Sequence, residues 1–92
     1  METATVHQTH TDVLKRLKRA GGHLQNVIAM LEQERPCLDV AQQLQAVERA
    51  VCAAKKLLIH DHIDHCLERS VAADPRAARG VIGEFKAITK YL

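Results

Sequence analysis

Aromatic residues are almost missing from this sequence. Of 92 residues only Phe85 and Tyr91 are aromatic, and there is no tryptophan. A core without large rings must be built from Leu, Val, Ile and Ala, which is more typical of packed helices than of a β-sandwich or barrel. At this length we expect one small domain over residues 1–92, with a modest core unless copies associate.

Long apolar segments are missing as well. No run approaches the ~20 apolar residues that span a bilayer, and Met1 to Thr11 lack the apolar stretch of a signal peptide. We therefore expect a cytoplasmic protein without membrane association. The three cysteines are an odd count in a reducing compartment. This disfavours a disulfide scaffold and leaves metal ligation, redox chemistry or burial.

Proline and glycine are scarce, so the chain has few helix breaks. The periodicity and punctuation predict an all-α protomer of three helices, preceded by a flexible arm over residues 1–8. The predicted helices run from Thr9 or Thr11 to about Glu34, from about Cys37 to Leu67, and from Asp74-Pro75 onward, with Ser70 to Ala73 as the linker. Pro36 ends the first helix, and Gly21-Gly22 inside it is predicted to be a close-packing point.

Three side chains of the long second helix point the same way. His62 and Cys66 are four residues apart, so they lie on one helical face within reach of a single ion. Cys37 shares their direction, because 25 steps of about 100° return to within about 20° of the start. Along the axis, however, Cys37 lies about 37 Å from His62. One continuous helix cannot bring the three together.

An antiparallel pair of second helices can do so. In such a dimer Cys37 of one protomer meets the partner's His62 and Cys66, and symmetry creates two sites. The register places Val51 near the two-fold axis. Three small residues are expected to allow close approach there: Ala50, Ala53 and Ala54. Further apolar residues are expected on the same face: Leu44, Leu58 and Ile59.

Two thiolates and an imidazole suit Cu(I), and with further nitrogen donors they suit Ni(II), Co(II) or Zn(II). The spacing alone leaves open that Cys37 and Cys66 are ordinary half-buried cysteines and His62 a helix-end histidine. Additional ligands could come from His7 or His10. Cys52 is expected to be a small apolar filler, with redox pairing across the axis as the alternative. Other polar residues nearby are expected to be solvated: His60, Asp64 and His65.

A basic cluster lies in the first helix, formed by Lys15, Arg16, Lys18 and Arg19. These side chains could neutralise DNA phosphates, each contact adding salt-dependent affinity. A solvated helix face explains the run equally well, since no helix-turn-helix, zinc finger or aromatic platform accompanies it.

Four segments together resemble a known family: RLKRAGGHLQNVIAM, PCLDV, QQLQAVERAV and LIHDHIDHCL. They are similar to the copper-, nickel/cobalt- and formaldehyde-sensing repressors known as CsoR, RcnR and FrmR. The resemblance covers nearly the whole chain. It implies three-helix protomers that form antiparallel dimers and then tetramers, bind operator DNA when empty and release it on binding the effector.

The resemblance also assigns residues. Cys37, His62 and Cys66 match the ligands of the copper sensors, whereas the nickel/cobalt sensors carry histidine in place of Cys66. The formaldehyde sensors share Cys37 and usually lack the last cysteine. Arg16 and Arg19 match basic positions implicated in DNA binding.

These matches predict a repressor responding to Cu(I), with Ni(II) or Co(II) as the next candidates and formaldehyde or persulfide chemistry at Cys37 behind them. A helical metal buffer without a DNA role is the alternative of a different class. We do not expect an enzyme, because no nucleophile and base stand apart from the proposed ligands.

Overall fold

The computed structural model describes residues 4–72 and 75–92, with the side chains of 4–9, 66, 69–72 and 77 outside the description. Within those ranges the chain forms three helices and no strand: α1 (Ala4–Glu32), α2 (Cys37–Ala72) and α3 (Pro75–Thr89). This confirms the predicted all-α fold with a long second helix. None of the described helices combines the length and apolarity that crossing a bilayer requires.

Two helix boundaries differ from prediction by five residues or more, and α1 ends at Glu32, two residues before the expected Glu34. Helix α1 begins at Ala4 rather than at Thr9 or Thr11, because no proline or glycine precedes Gly21 to interrupt it. Helix α2 continues to Ala72, past Leu67, because the residues predicted as a linker include no helix breaker. Ala73 and Asp74 lie outside the described residues.

Gly21 and Gly22 do not break α1, as predicted, but the expected close packing is absent. A Cβ atom added at either glycine would meet nothing within 4 Å in the described part of the chain. Both glycines are exposed. The helix therefore tolerates them at a cost of about 1 kcal/mol each relative to alanine.

The turn between α1 and α2 is a Schellman motif. Glu34 adopts a left-handed backbone with φ of 57°, and the amides of Glu34 and Arg35 donate to the carbonyl oxygens of Leu31 and Met30 at 3.1 and 2.9 Å. These bonds satisfy two carbonyls that the helix end leaves without partners. Helix α2 starts immediately afterwards, with the Pro36 carbonyl accepting from the amide of Val40 at 3.1 Å.

The chain divides into two compact units, residues 1–55 and 56–92. The prediction of a single domain over residues 1–92 stays a prediction. In the first unit α1 and the start of α2 form an antiparallel hairpin around small side chains. The buried residues recur every seven positions on each helix: Val13, Ala20 and Val27 on α1, and Val40, Val47 and Ala54 on α2. Such a heptad spacing is typical of side-by-side helix packing.

The second unit contains the end of α2 and all of α3. Ile59 is buried there, although we expected it on the dimer face of α2. From their spacing of four, three and four residues, Val81, Phe85, Ile88 and Leu92 are expected to form one apolar stripe, and the first three are half-buried. The fourth, Leu92, lies beyond the helix end and is 62% exposed.

Candidate metal centre and nucleic-acid interface

Cys37 is the first residue of α2, and its side chain is exposed. Two local features place it there. The Schellman motif ends α1, and Pro36, which cannot continue a helix that needs its amide, precedes the cysteine. An ion pair of 3.7 Å joins Arg35 to Asp39 across this junction. Both side chains are about half exposed, so the pair contributes little stability.

His62 and Cys66 belong to the second unit, in the last third of α2. The His62 Nε2 atom lies 3.9 Å from Oε2 of Glu84 on α3, with both side chains partly exposed. A carboxylate beside one ring nitrogen orients a histidine so that the other nitrogen can bind a metal. Glu84 was not predicted from the sequence, because its position depends on how α3 packs against α2.

Within one chain the predicted ligands do not form a site. Among the described residues there is no group of three or more His, Cys, Asp or Glu side chains that could hold a metal ion. Cys37 belongs to the first unit, His10 is exposed at the start of the described side chains, and the side chains of His7 and Cys66 lie outside the described part. The cross-chain site therefore stays a prediction.

The polar residues around His62 divide into two groups. His60 and Asp64 are exposed, as predicted. His65, also expected to be solvated, is half-buried, and its Nε2 atom lies 3.7 Å from Oδ2 of Asp61. The four-residue spacing of Asp61 and His65 was the signal that could have revealed this pair.

The α1–α2 hairpin has two different flanks. Relative to the buried stripe, Leu17 and Leu24 on α1 and Val51 on α2 lie on one side. This apolar flank is incompletely covered in the single chain, with large side chains 40–58% exposed. Its members are Leu14, Leu17, Leu24, Ile28 and Leu31 on α1, and Leu44 and Val51 on α2. In the second unit, Leu58 of α2 is 37% exposed. Apolar surface of this extent is typical of an interaction face.

The opposite flank is basic. Arg16, Arg19 and His23 of α1 line a shallow cavity together with three alanines, Ala20, Ala50 and Ala53. All four residues of the predicted basic cluster are exposed, but Lys15 and Lys18 do not line the cavity. The structure thus separates the cluster into two arginines facing α2 and two lysines directed elsewhere.

The expected role of the α2 alanines is wrong. Ala54 is completely buried within the first unit, and Ala50 and Ala53 line the cavity beside α1. They therefore face the first helix of their own chain and not the proposed two-fold axis. Cys52 is half-buried, so its role as an apolar filler stays a prediction.

A family model described as "Metal-sensitive transcriptional repressor" matches residues 9–91. The chain is 32% identical to the copper-sensing transcriptional repressor RicR of Mycobacterium tuberculosis over 80 residues, 87% of this chain and 83% of that protein. It is 41% identical over 58 residues to the copper-sensing transcriptional repressor CsoR of Mycobacterium ulcerans. That match covers 63% of this chain and spans about half of the relative, 50% of its length.

A solved structure is also similar. The nickel-responsive transcriptional regulator InrS superposes with a TM-score of 0.77 at 28% identity, covering 88% of this chain and 89% of that one. The likeness therefore extends over most of the chain.

Proposed function

This chain belongs to the family of metal-sensitive transcriptional repressors, and from that premise we propose that it binds operator DNA when empty and releases it on binding Cu(I). The family consists of transcriptional repressors, not enzymes. We propose that it acts in the cytoplasm, where it has access to operator DNA. The observation that carries the proposal is the exposed Cys37 at the start of α2, beside an apolar flank that the single chain leaves uncovered.

The apolar flank supports an antiparallel dimer of second helices. Leu44, Val51 and Leu58 are spaced by seven residues and are 43%, 44% and 37% exposed. In the antiparallel register, Leu44 packs against the partner's Leu58 and Val51 against its own copy. The same register would bring Cys37 to the partner's His62, because both residues lie on one side of α2, and the sequence spacing predicts the same side for Cys66. We propose that two such dimers assemble into a tetramer.

The donor set fits a soft monovalent metal. Two cysteine sulfurs and one imidazole nitrogen match the preference of Cu(I) for thiolate ligands. Glu84, 3.9 Å from Nε2 of His62, would hold that ring in place while Nδ1 binds the metal. Copper-sensing names among the relatives support the same choice.

Ni(II) is the second candidate, favoured by the likeness to a nickel-responsive regulator. It takes four or more donors and prefers nitrogen beside sulfur. His10 is exposed, and it or His7 would supply the missing ligand. Co(II) would use the same residues.

In this proposal metal binding releases DNA because the metal-binding and DNA-binding equilibria are thermodynamically linked. A metal that bridges two protomers stabilises one arrangement of the helices, and it weakens DNA binding by its differential affinity for the two arrangements. A coupling of about 3 kcal/mol corresponds to about 150-fold weaker operator binding.

The test is operator binding by the reduced protein, measured by fluorescence anisotropy on a duplex from its own promoter during titration with Cu(I) or Ni(II). We expect Cu(I) to release the DNA. The variant Cys37→Ala should lose the response, while Cys52→Ala, which replaces a half-buried cysteine, should keep it. Replacing His7 and His10 together by alanine should abolish only a Ni(II) response.

Three outcomes contradict parts of the proposal. Release of Cys37→Ala by either metal excludes the cross-chain site. Release by formaldehyde in the absence of metal, lost in Cys37→Ala, assigns the chain to aldehyde sensing. Metal binding without any salt-dependent affinity for the promoter duplex makes the chain a metal buffer.

A further inference from the structure

We propose that the cavity on the basic flank is a seat for one backbone phosphate of DNA, formed by Arg16, Arg19 and His23 over an alanine floor. This inference rests on the proposed function and adds to it four residues outside the basic cluster: Ala20, His23, Ala50 and Ala53. We call the cavity the phosphate seat.

The lining of the phosphate seat has the charge that a phosphodiester needs. Arg16 and Arg19 are three residues apart on α1, and His23 follows Arg19 by one further turn, so all three lie along one flank. The remaining lining side chains are alanines, and none of the lining residues is acidic. Arginine is the side chain that binds phosphate most favourably, because its planar fork can donate two parallel hydrogen bonds.

The alanine floor leaves room for the anion. The cavity measures about 150 Å³, whereas about 10–15 Å³ is enough for one water molecule. The space exists because Ala50 and Ala53 of α2 present only methyl groups beneath the arginines. A longer side chain at position 53 would occupy it without changing any charge.

The His23 side of the phosphate seat is positioned before DNA binds. The Nε2 atom of His23 donates to Oε1 of Gln43 across the hairpin at 2.6 Å. This bond links α1 to α2 and restricts rotation of the imidazole. A wall that is ordered before DNA arrives lowers the entropy that binding must overcome.

The phosphate seat lies away from the proposed dimer face. On α2, Ala50 lies about 60° to one side of the buried Val47, and Val51 lies about 40° to the other side. On α1, His23 and Leu24 lie on opposite sides of the buried Ala20 in the same way. DNA can therefore occupy the basic flank while a second copy covers the apolar flank.

The experiment compares Ala53→Leu with wild type in the full-length, reduced, metal-free protein. Binding to the promoter duplex is measured between about 50 and 200 mM salt. Ala53→Leu should flatten the salt slope by about one unit and weaken binding about eightfold at 0.1 M salt for each seat in contact, since one phosphate contributes about 0.9 to the slope. Equal slope and affinity in Ala53→Leu and wild type overturns the seat.

Ala46→Leu is the matched control. Ala46 is exposed on the same flank of α2 but does not line the cavity, so this variant should bind like wild type. If Ala46→Leu weakens DNA binding as much as Ala53→Leu does, the phosphate seat is also excluded. Unchanged circular dichroism and light scattering in both leucine variants ensure that fold and assembly are retained.

A second measurement separates the seat from the proposed function. Inorganic phosphate is added to wild type at constant ionic strength, and the arginine Nε–H signals are followed by NMR. If the Arg16 and Arg19 signals shift in wild type but not in Ala53→Leu, the phosphate seat is supported. If in addition the promoter duplex does not bind, the repressor function is excluded while the anion site stands. If the promoter duplex binds, no such shifts occur and Ala53→Leu binds like wild type, the repressor function is retained and the phosphate seat is excluded.

Discussion

Replacing Glu34 by glycine should stabilise the hairpin of α1 and α2. Glu34 occupies the left-handed position of the Schellman motif, with φ of 57°, and its amide and that of Arg35 make the two capping bonds. An L-residue in this conformation costs roughly 1–2 kcal/mol. Glycine removes that cost but adds about 0.5–1 kcal/mol of chain entropy on folding. The net expected gain in the free energy of unfolding is about 0.5–1 kcal/mol.

The assay is urea unfolding followed by far-UV circular dichroism, at one fixed protein concentration because association shifts apparent stability. Thermal unfolding should show a rise of about 2–8 °C, since 1 kcal/mol corresponds to about 4–8 °C in a domain of this size. Glu34→Ala is the first control, because it removes the carboxylate from the negative end of the α1 dipole and keeps the strained backbone. It should gain only a few tenths of a kcal/mol.

A second control places glycine within the helix. Gln25 is exposed and uncharged inside α1, so Gln25→Gly should lose up to about 1 kcal/mol. If Glu34→Gly is no more stable than Glu34→Ala, the left-handed backbone at this position carries no cost and the reasoning is wrong.

Three further predictions concern assembly, metal and DNA. Val51→Glu, at the proposed two-fold axis, should weaken dimerisation at least about tenfold because it buries two carboxylates together; an unchanged mass by light scattering contradicts the register. Glu84→Gln should lower metal affinity about tenfold by releasing His62, and an unaltered Cu(I) competition curve excludes that role. Replacing Arg16 and Arg19 by alanine should flatten the salt slope of operator binding by about one unit per lost contact; an unchanged slope makes the arginines a solvated face.

The position of Cys37 was predictable because the determinants are local. Pro36 precedes it, and proline forces the preceding residue out of the helical region. The helix start therefore follows from the chain itself. The end of α2 was predicted too early, at Leu67. No proline or glycine marks the helix end before Ala72, so the prediction relied on the point where the apolar periodicity fades, and that point is not the end of the helix.

The faces of the helices were harder to predict. The apolar periodicity of α1 includes both valines and leucines. Among the described side chains of α1, Val13 and Val27 are buried together with Ala20, while Leu14 and Leu31 are 52% and 58% exposed. Periodicity shows how wide an apolar arc is, and it does not show which part packs within the chain and which part is left for a partner. The misassignment of Ala53 to the dimer axis has the same cause.

Under the proposed function, the two flanks of the hairpin can be redesigned separately, one for the metal and the other for the DNA. The proposed ligand Cys37 lies on the apolar side of α2 by helical geometry, whereas Arg16 and Ala53 line the cavity on the basic side. An exchange of ligand types on the apolar side would leave the charges of the basic side untouched, so the effector could be changed while the operator is kept. The buried valines and alanines between the flanks would be constrained by both roles, because a close-packed core passes a change in side-chain volume on to its surroundings.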